Sequence, residues 1–311
     1  MRRNRGDRCR SKHQHWVPQF YLRYFSTPES RDTKNPKVWI FSKDSADGDE
    51  VLTSVRNVCG KRYLYSPTQL NGERNWELDE RIEGLESLLG PIWPALAADF
   101  ADLSNKSLRK GLALFVAAMH LRNPDVRNEV EFIHRQLVQF YATAPLLPDG
   151  TPNITSFASG GNVHEVDLSG WHEYRAWGKN DHDRFFADFI QSEAGRIAEF
   201  LLTKRWSVVL AERDTFITTD KPVSVQHQSK ERFGIGTKGV IVTFPLSPTR
   251  LLVMDDMHDE PANQYYPLQL SNAGAFNCTI WHGASRFLIT GRPITEVLME
   301  ICSAADGNFD A

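Results

Sequence analysis

Three polar side chains interrupt the aromatic stretch HWVPQFYLRYF (residues 15–25): His15, Gln19 and Arg23. Gln19 and Arg23 are four apart and share one face of a helix, while Pro18 stiffens the turn that holds His15 nearby. Far along the chain, Asp220 ends the run FITTD in a turn fixed by Pro222, and Lys221 follows it. A carboxylate at a strand end is aimed by the rigid strand. Arg122 emerges from the apolar run LALFVAAMHL, and Glu77, Glu80 and Glu83 recur at three-residue spacing beside a leucine stripe. Phosphodiester cleavage needs a set of this kind. His15 would be general base or metal ligand, and Asp220 with Glu77 or Glu80 would hold Mg²⁺ or Mn²⁺. Arg23, Arg122 or Lys221 would then neutralise the phosphate.

The same residues also suit a structural network. In that reading His15 caps a turn, Arg23 and Arg122 pair with Glu77 and Asp220, and the ions lock the N-terminal segment onto the sheet. His13 and His15 would suit zinc only on an extended strand, and His13 and Gln14 are expected to be solvated. His120 and His134 flank a proline break and need not share a face, and His282 reads as a satisfied core histidine. HExxH, GxSxG, GxxxxGK[ST] and a GxGxxG opening a helix are all absent from the chain. The four cysteines, Cys9, Cys59, Cys278 and Cys302, are widely spaced. They form neither a disulfide framework nor a zinc-finger spacing, and are expected to be reduced and mostly buried.

These side chains need elements to position them. Pro18 at a first turn predicts a short helix over Gln19–Phe25, and KVWIFSK predicts a strand with its turn at DSADGDE. Leu78, Ile82, Leu85 and Leu89 form an amphipathic stripe that Pro91 and Pro94 close. A long helical pattern follows from Ser104 or Ser107, broken or bent at Asn123–Pro124. Residues 145–178 are rich in Gly, Pro, Ser and Asn, as in a lid. After a further helix over 182–205, the character changes to strands: WSVVLA, TFITTD, GVIVTFPL and RLLVMDD. A helical LQLSNAGAFNCTIWHGA then leads into RFLIT. The fold class expected is α+β, with a helical N-terminal and central part packed on a mainly antiparallel C-terminal sheet. A single domain over 13–302 is expected, because the N-terminal strand needs partners that only the C-terminal half supplies. A basic tail (1–12) and a flexible C-terminus (303–311) would flank it.

Bulk properties fit an ordinary globular protein, at 41% hydrophobic and 24% charged residues with a net charge of −3. The overall charge exerts no pull toward nucleic acid or membrane. Residues 1–12 are the exception, with six cations against Asp7. They suit a nucleic-acid arm as well as a solvated terminus. With no apolar run long enough to span a bilayer, a cytoplasmic protein without membrane partners is expected.

Several blocks of text, in order, resemble one bacterial family, that of the HYVP motif, the domain of unknown function 4238. They are HWVPQFYLRYF, VRNVCGKRYLYS, WELDERIEGLE, FVAAMHLRNPDVR, FITTDKPV, FPLSPTRLL and ASRFLIT. Trp16 stands where the motif has tyrosine, and Lys221 stands where the family often has an amide. The resemblance supplies no activity. The residues themselves point first to a metal-assisted, nuclease-like hydrolase. The alternative is a non-catalytic module that binds nucleic acid or a partner, its polar network being structural. A third class, a sensor binding a small ligand in the groove beneath residues 145–178, also fits.

Overall fold

A computed structural model describes residues 11–44, 50–159, 161–228, 233–269 and 272–306. Most of the basic tail, most of the DSADGDE turn and the last residues of the C-terminus fall outside these. Among the described residues, no helix is long and apolar enough to cross a membrane.

The chain opens with a short strand, β1 (His13–His15), and the helix α1 (Gln19–Leu22), which tightens into a 3₁₀ turn over Arg23–Phe25. Strands β2 (Lys37–Ser42), β3 (Glu50–Ser54) and β4 (Gly60–Arg62) follow. The helical part comprises α2 (Glu77–Leu89), α3 (Trp93–Ala98), α4 (Lys106–Leu121) and α5 (Pro124–Ala142). The glycine-rich excursion forms a ribbon, β5 (Ser156–Ser159) with β6 (Asn162–Glu165), and a one-turn helix, α6 (Trp171–Arg175). Helix α7 (Lys179–Thr203) leads into strands β7 (Arg205–Leu210), β8 (Thr218–Thr219), β9 (Ser224–Gln226), β10 (Ile241–Ser247), β11 (Arg250–Asp255) and β12 (Gln264–Pro267). The chain closes with α8 (Ala273–Gly283), β13 (Phe287–Thr290) and α9 (Ile294–Ala305).

The architecture is α+β. A five-stranded sheet runs in the order β12-β7-β11-β10-β9, antiparallel apart from the β12–β7 pair. Alternation along its strands gives it two apolar faces. Val208, Phe244, Leu252 and Met254 face the larger core, with Trp93, Phe115, Phe186 and Tyr21. Val209, Leu251 and Val253 face a smaller core, with Ile280 of α8 and Val297 and Ile301 of α9. A second sheet, β3-β2-β13-β8, joins the two ends of the chain. In it Ile40 pairs with Ile289, so the N-terminal strand takes its partner from the C-terminal region.

Several local expectations change. Asn105, not Ser104 or Ser107, caps α4, its carboxamide oxygen accepting from Ser107 N and Leu108 N. TFITTD yields only a two-residue strand because Thr215 and Phe216 spend their N–H groups on Pro248 O. Helix α9 is not among the elements expected; Pro293 marks its start, but no Ser, Thr, Asp or Asn caps it. Gln14 is buried rather than solvated, since its side chain bonds Ser66 Oγ and Tyr65 N at 2.6 and 2.7 Å. Of the described cysteines only Cys59 is buried. Cys278 is half-buried and Cys302 is exposed.

Candidate functional site

Four segments distant in sequence meet at the C-terminal tip of β8. Trp16 Nε1 and Asn123 Nδ2 both donate to the main-chain oxygen of Asp220, at 2.9 and 3.0 Å. The Asp220 carboxylate accepts from Ser285 N (3.0 Å) through Oδ1 and from Arg286 N (2.9 Å) through Oδ2. Asp220 N donates to Phe287 O. The residue thereby clamps the turn that launches β13, and Pro222 after it prevents the strand from continuing. Its carboxyl is held above the usual carboxylate range, chiefly by burial, against the pull of the amide donors; the charge of Asp125 adds to the rise.

Arg122 sits under this junction, 1% exposed. Its Nε donates to Trp16 O (2.7 Å), one Nη to Met119 Sδ, and the other pairs with Glu86 (2.8 Å). The partner is therefore Glu86 and not Asp220, because Asp220 is already engaged by main-chain amides. Tyr65 OH donates to Arg122 O, tying in the segment after β4.

His15 lies beside Trp16, with Nε2 on Arg56 O at 3.0 Å and Nδ1 near the exposed Gln19 carboxamide at 3.4 Å. Burial first, and the Arg122 charge with it, lowers its pKa, so the ring is neutral near pH 7. Arg23 is exposed and reaches Thr33 O. Glu77 opens α2, exposed and paired with Arg81, not with Arg23. The structure thus gathers His15, Gln19, Arg122, Asp220 and Lys221 around one junction. Among the described residues, no hydrogen bond or ion pair joins Arg23 or Glu77 to it.

His13 and His15 do lie on an extended strand with their rings 4.9 Å apart. Among the described residues, however, no group of three or more His, Cys, Asp or Glu is placed to hold a metal ion. Asp220 with Glu77 does not form such a group, nor does the histidine pair.

The outer rim of the junction is cationic. Lys43 Nζ donates to Ala284 O (2.6 Å) and His282 O (3.1 Å) and lies 4.9 Å over the Trp281 ring. Its pKa is lowered by burial, with Asp220 opposing and Lys221 adding to that shift. Lys221 is half-buried, and among the described residues no hydrogen bond or ion pair engages its ammonium. His120, on the last turn of α4, has a buried Nδ1 without a hydrogen-bond partner. Burial, and then the Lys221 charge, pushes its pKa down to about 4. Helix α5 begins at the same place. Asn123 caps it through Oδ1 on Asp125 N (2.8 Å) while its Nδ2 holds Asp220 O. Arg286 at this rim is paired with Asp44 at 3.1 Å, and Asp125 sits in the first turn of α5, which leaves Lys43 and Lys221 as the cations without a carboxylate bonded to them among the described residues.

Lys43, Asn123 and Ser285 are not expected at the site from sequence, and His120 is set aside there because it and His134 flank a proline break. The NP dipeptide reads as a helix break, yet its asparagine serves as cap and clamp at once. Nothing marks Lys43 beyond its position at a strand end. Another polar cluster ties α5 to α6 and α7: His134 Nε2 bonds Tyr174 O, its Nδ1 accepts from His182 Nε2, and Arg127 pairs with Asp183 and Glu131. Every member already has a partner, so it reads as a fastening between helices.

No curated protein and no solved structure matches the chain. The family described as protein of unknown function (DUF4238) matches residues 13–293, a span that takes in all four segments of the junction. The chain accordingly belongs to the DUF4238 family.

Proposed function

We propose that this protein is a binding module for a phosphate-bearing ligand, nucleic acid by class, received at the Lys43–Lys221 rim. The polar junction beneath serves as its scaffold. The observation that carries the reading is the Lys221 ammonium, half-buried with no hydrogen bond or ion pair among the described residues. It lies in electrostatic reach of Lys43 and of the unbonded His120. A half-buried ammonium beside a second lysine, without a bonded counter-ion among the described residues, favours an anion. The metal-assisted hydrolase draws less support, because the Asp220 oxygens already accept main-chain N–H groups and Glu77 is committed to Arg81. Residues 13–302 act as one unit in this reading, since β2 is completed by β13.

The test is fluorescence anisotropy with a labelled single-stranded oligonucleotide at several salt concentrations. Lys221→Ala should weaken binding roughly ten-fold and flatten the salt slope by about one, with the melting temperature retained. Affinity and salt slope equal to wild type would remove the rim from consideration. A parallel arm incubates the oligonucleotide with Mg²⁺, Mn²⁺ or EDTA. Metal-dependent cleavage that disappears in His15→Ala, with folding intact, would replace the binding reading by the hydrolase.

A further inference from the structure

Two buried histidines meet where α5, α6 and α7 converge. His134 and His182 are each 6% exposed, with their rings 4.8 Å apart and edge to face. His134 Nε2 lies 2.8 Å from Tyr174 O, and its Nδ1 lies 3.1 Å from His182 Nε2. A carbonyl oxygen can only accept, so His134 Nε2 carries a hydrogen and donates to Tyr174 O. His134 Nδ1 is then the lone pair of a neutral ring, and His182 Nε2–H donates to it. The chain of bonds runs from α7 through α5 to the main chain of α6.

The pair accommodates one added proton and not two. With one, His134 holds hydrogens on both nitrogens, and His182 moves its own hydrogen to Nδ1 so that Nε2 accepts. With a second, His134 Nδ1 and His182 Nε2 both bear hydrogens and face each other at bonding distance, donor against donor. The surroundings hold no spare negative charge for that second proton. Arg127, Glu131 and Arg135 stand around the pair on α5, Asp181, Asp183 and Arg184 on α7, and α6 brings the Tyr174 ring. Each of the three carboxylates is already bonded to an arginine, Glu131 and Asp183 to Arg127 and Asp181 to Arg184. Burial first, and then His134, lowers the pKa of His182, with Glu131 and Asp181 opposing.

The carbonyl at the end of this chain belongs to a weakly built element. Helix α6 is five residues long and starts after Gly170, which brings no capping side chain. A helix of that length does not hold its own shape in water. The β5–β6 ribbon before it pairs with neither of the larger sheets. Its ties to α5 include Tyr174 O and the Tyr174 ring on His134, Trp177 stacked on the His134 ring (5.7 Å, 24°) and Trp171 against Tyr141 (5.2 Å). All but the Trp171 contact pass through His134.

We propose that the His134–His182 pair is an acid-released latch: it holds residues 161–178 against α5 and α7 near neutral pH and frees them when both rings are protonated. Once the segment lifts, each ring takes up a proton at the ordinary histidine value of 6.5, whereas the closed pair takes only one. Above pH 6.5 the closed form keeps its full advantage. Below it, opening gains up to about ten-fold for each pH unit.

Hydrogen exchange of the full chain, read by mass spectrometry and corrected for the pH dependence of intrinsic exchange, tests the latch. Peptides within 161–178 should lose protection about ten-fold or more between roughly pH 7.5 and pH 5, while those of β7, β10 and β11 keep theirs. His182→Gln can donate or accept at the same place but takes no proton, so its protection over 161–178 should stay flat with pH. His134→Gln reaches only one of the two partners, and the segment should then exchange freely at both pH values with the sheet still protected. His120→Gln, a buried histidine outside the cluster, should open with acid as wild type does. Wild-type protection of 161–178 that is unchanged at the lower pH would overturn the inference. So would a loss spread evenly over the sheet strands, a His182→Gln chain as acid-sensitive as wild type, or an opening abolished by His120→Gln. Full protection of the segment in His134→Gln at the higher pH would overturn it independently of how His182→Gln folds.

Discussion

Removing the Trp16 N–H while keeping an aromatic ring separates its two roles. The indole packs against the main core, but its Nε1 also holds the main-chain oxygen of Asp220. Trp16→Phe should destabilise the protein by about 1–2 kcal/mol in urea unfolding, the usual loss for a part-buried hydrogen bond. No change in midpoint would mean that Asn123 Nδ2 alone satisfies that oxygen. Arg122 and Glu86 call for a double-mutant cycle. Arg122→Met alone should cost several kcal/mol by stranding Trp16 O and Glu86, and adding Glu86→Gln should cost less than the sum of the two singles. His120 governs a pH effect. Its pKa is about 4 in the folded protein and 6.5 in a solvated chain. Above pH 6.5 both states hold a neutral ring and stability is unaffected. As pH falls below 6.5 the unfolded chain takes up the proton first, so stability declines toward pH 4. Asp220, with its raised carboxyl, contributes with the opposite sign, and His15 with the same sign as His120. Urea midpoints of His120→Gln should therefore fall less steeply between pH 7 and 4 than those of wild type. Parallel curves would count against the buried neutral ring.

Two close approaches show how the elements are fitted. A Cβ on Gly274 would lie 2.6 Å from Glu300 O, and one on Gly291 would lie 2.5 Å from Ser26 O. The first sets how near α8 comes to α9; the second seats the end of β13 against the turn after α1. Gly274→Val should cost about 2–3 kcal/mol by thermal unfolding, because main chain cannot yield as a side-chain tip can. An unchanged melting temperature would contradict the close crossing. Periodicity made the helices readable: Leu78, Ile82 and Leu89 are buried as the stripe predicts, and α4 and α5 part at Asn123–Pro124. Alternation likewise located β7, β10 and β11. TFITTD was legible as a strand, but only Thr218–Thr219 of it forms β8. The short strands β1, β9 and β12 were not legible, since runs of three or four residues have no period of their own and take their geometry from neighbours. The candidate site was half legible for a similar reason. Asp220, Arg122 and His15 stand out as charge within apolar text, whereas their partners are main-chain amides and carbonyls, which no residue letter announces.

Over the whole molecule, the main cost of the fold is connectivity. Strand β2 is finished by β13, so residues some 250 positions apart must pair before the second sheet exists. Contacts of that separation slow folding far more than they alter final stability. Rapid dilution from urea should give a helical intermediate by far-UV circular dichroism well before near-UV signals of the buried tryptophans recover. Simultaneous recovery of both would contradict this order. For a chain leaving the ribosome, Ile40 and Phe41 emerge early and their β13 mates, Ile289 and Leu288, arrive late. Until β13 emerges, the nascent protein displays an open strand margin along Trp39–Ser42, a template for joining a neighbouring polypeptide. A messenger truncated before Phe287 should therefore yield aggregates rather than a shorter soluble product.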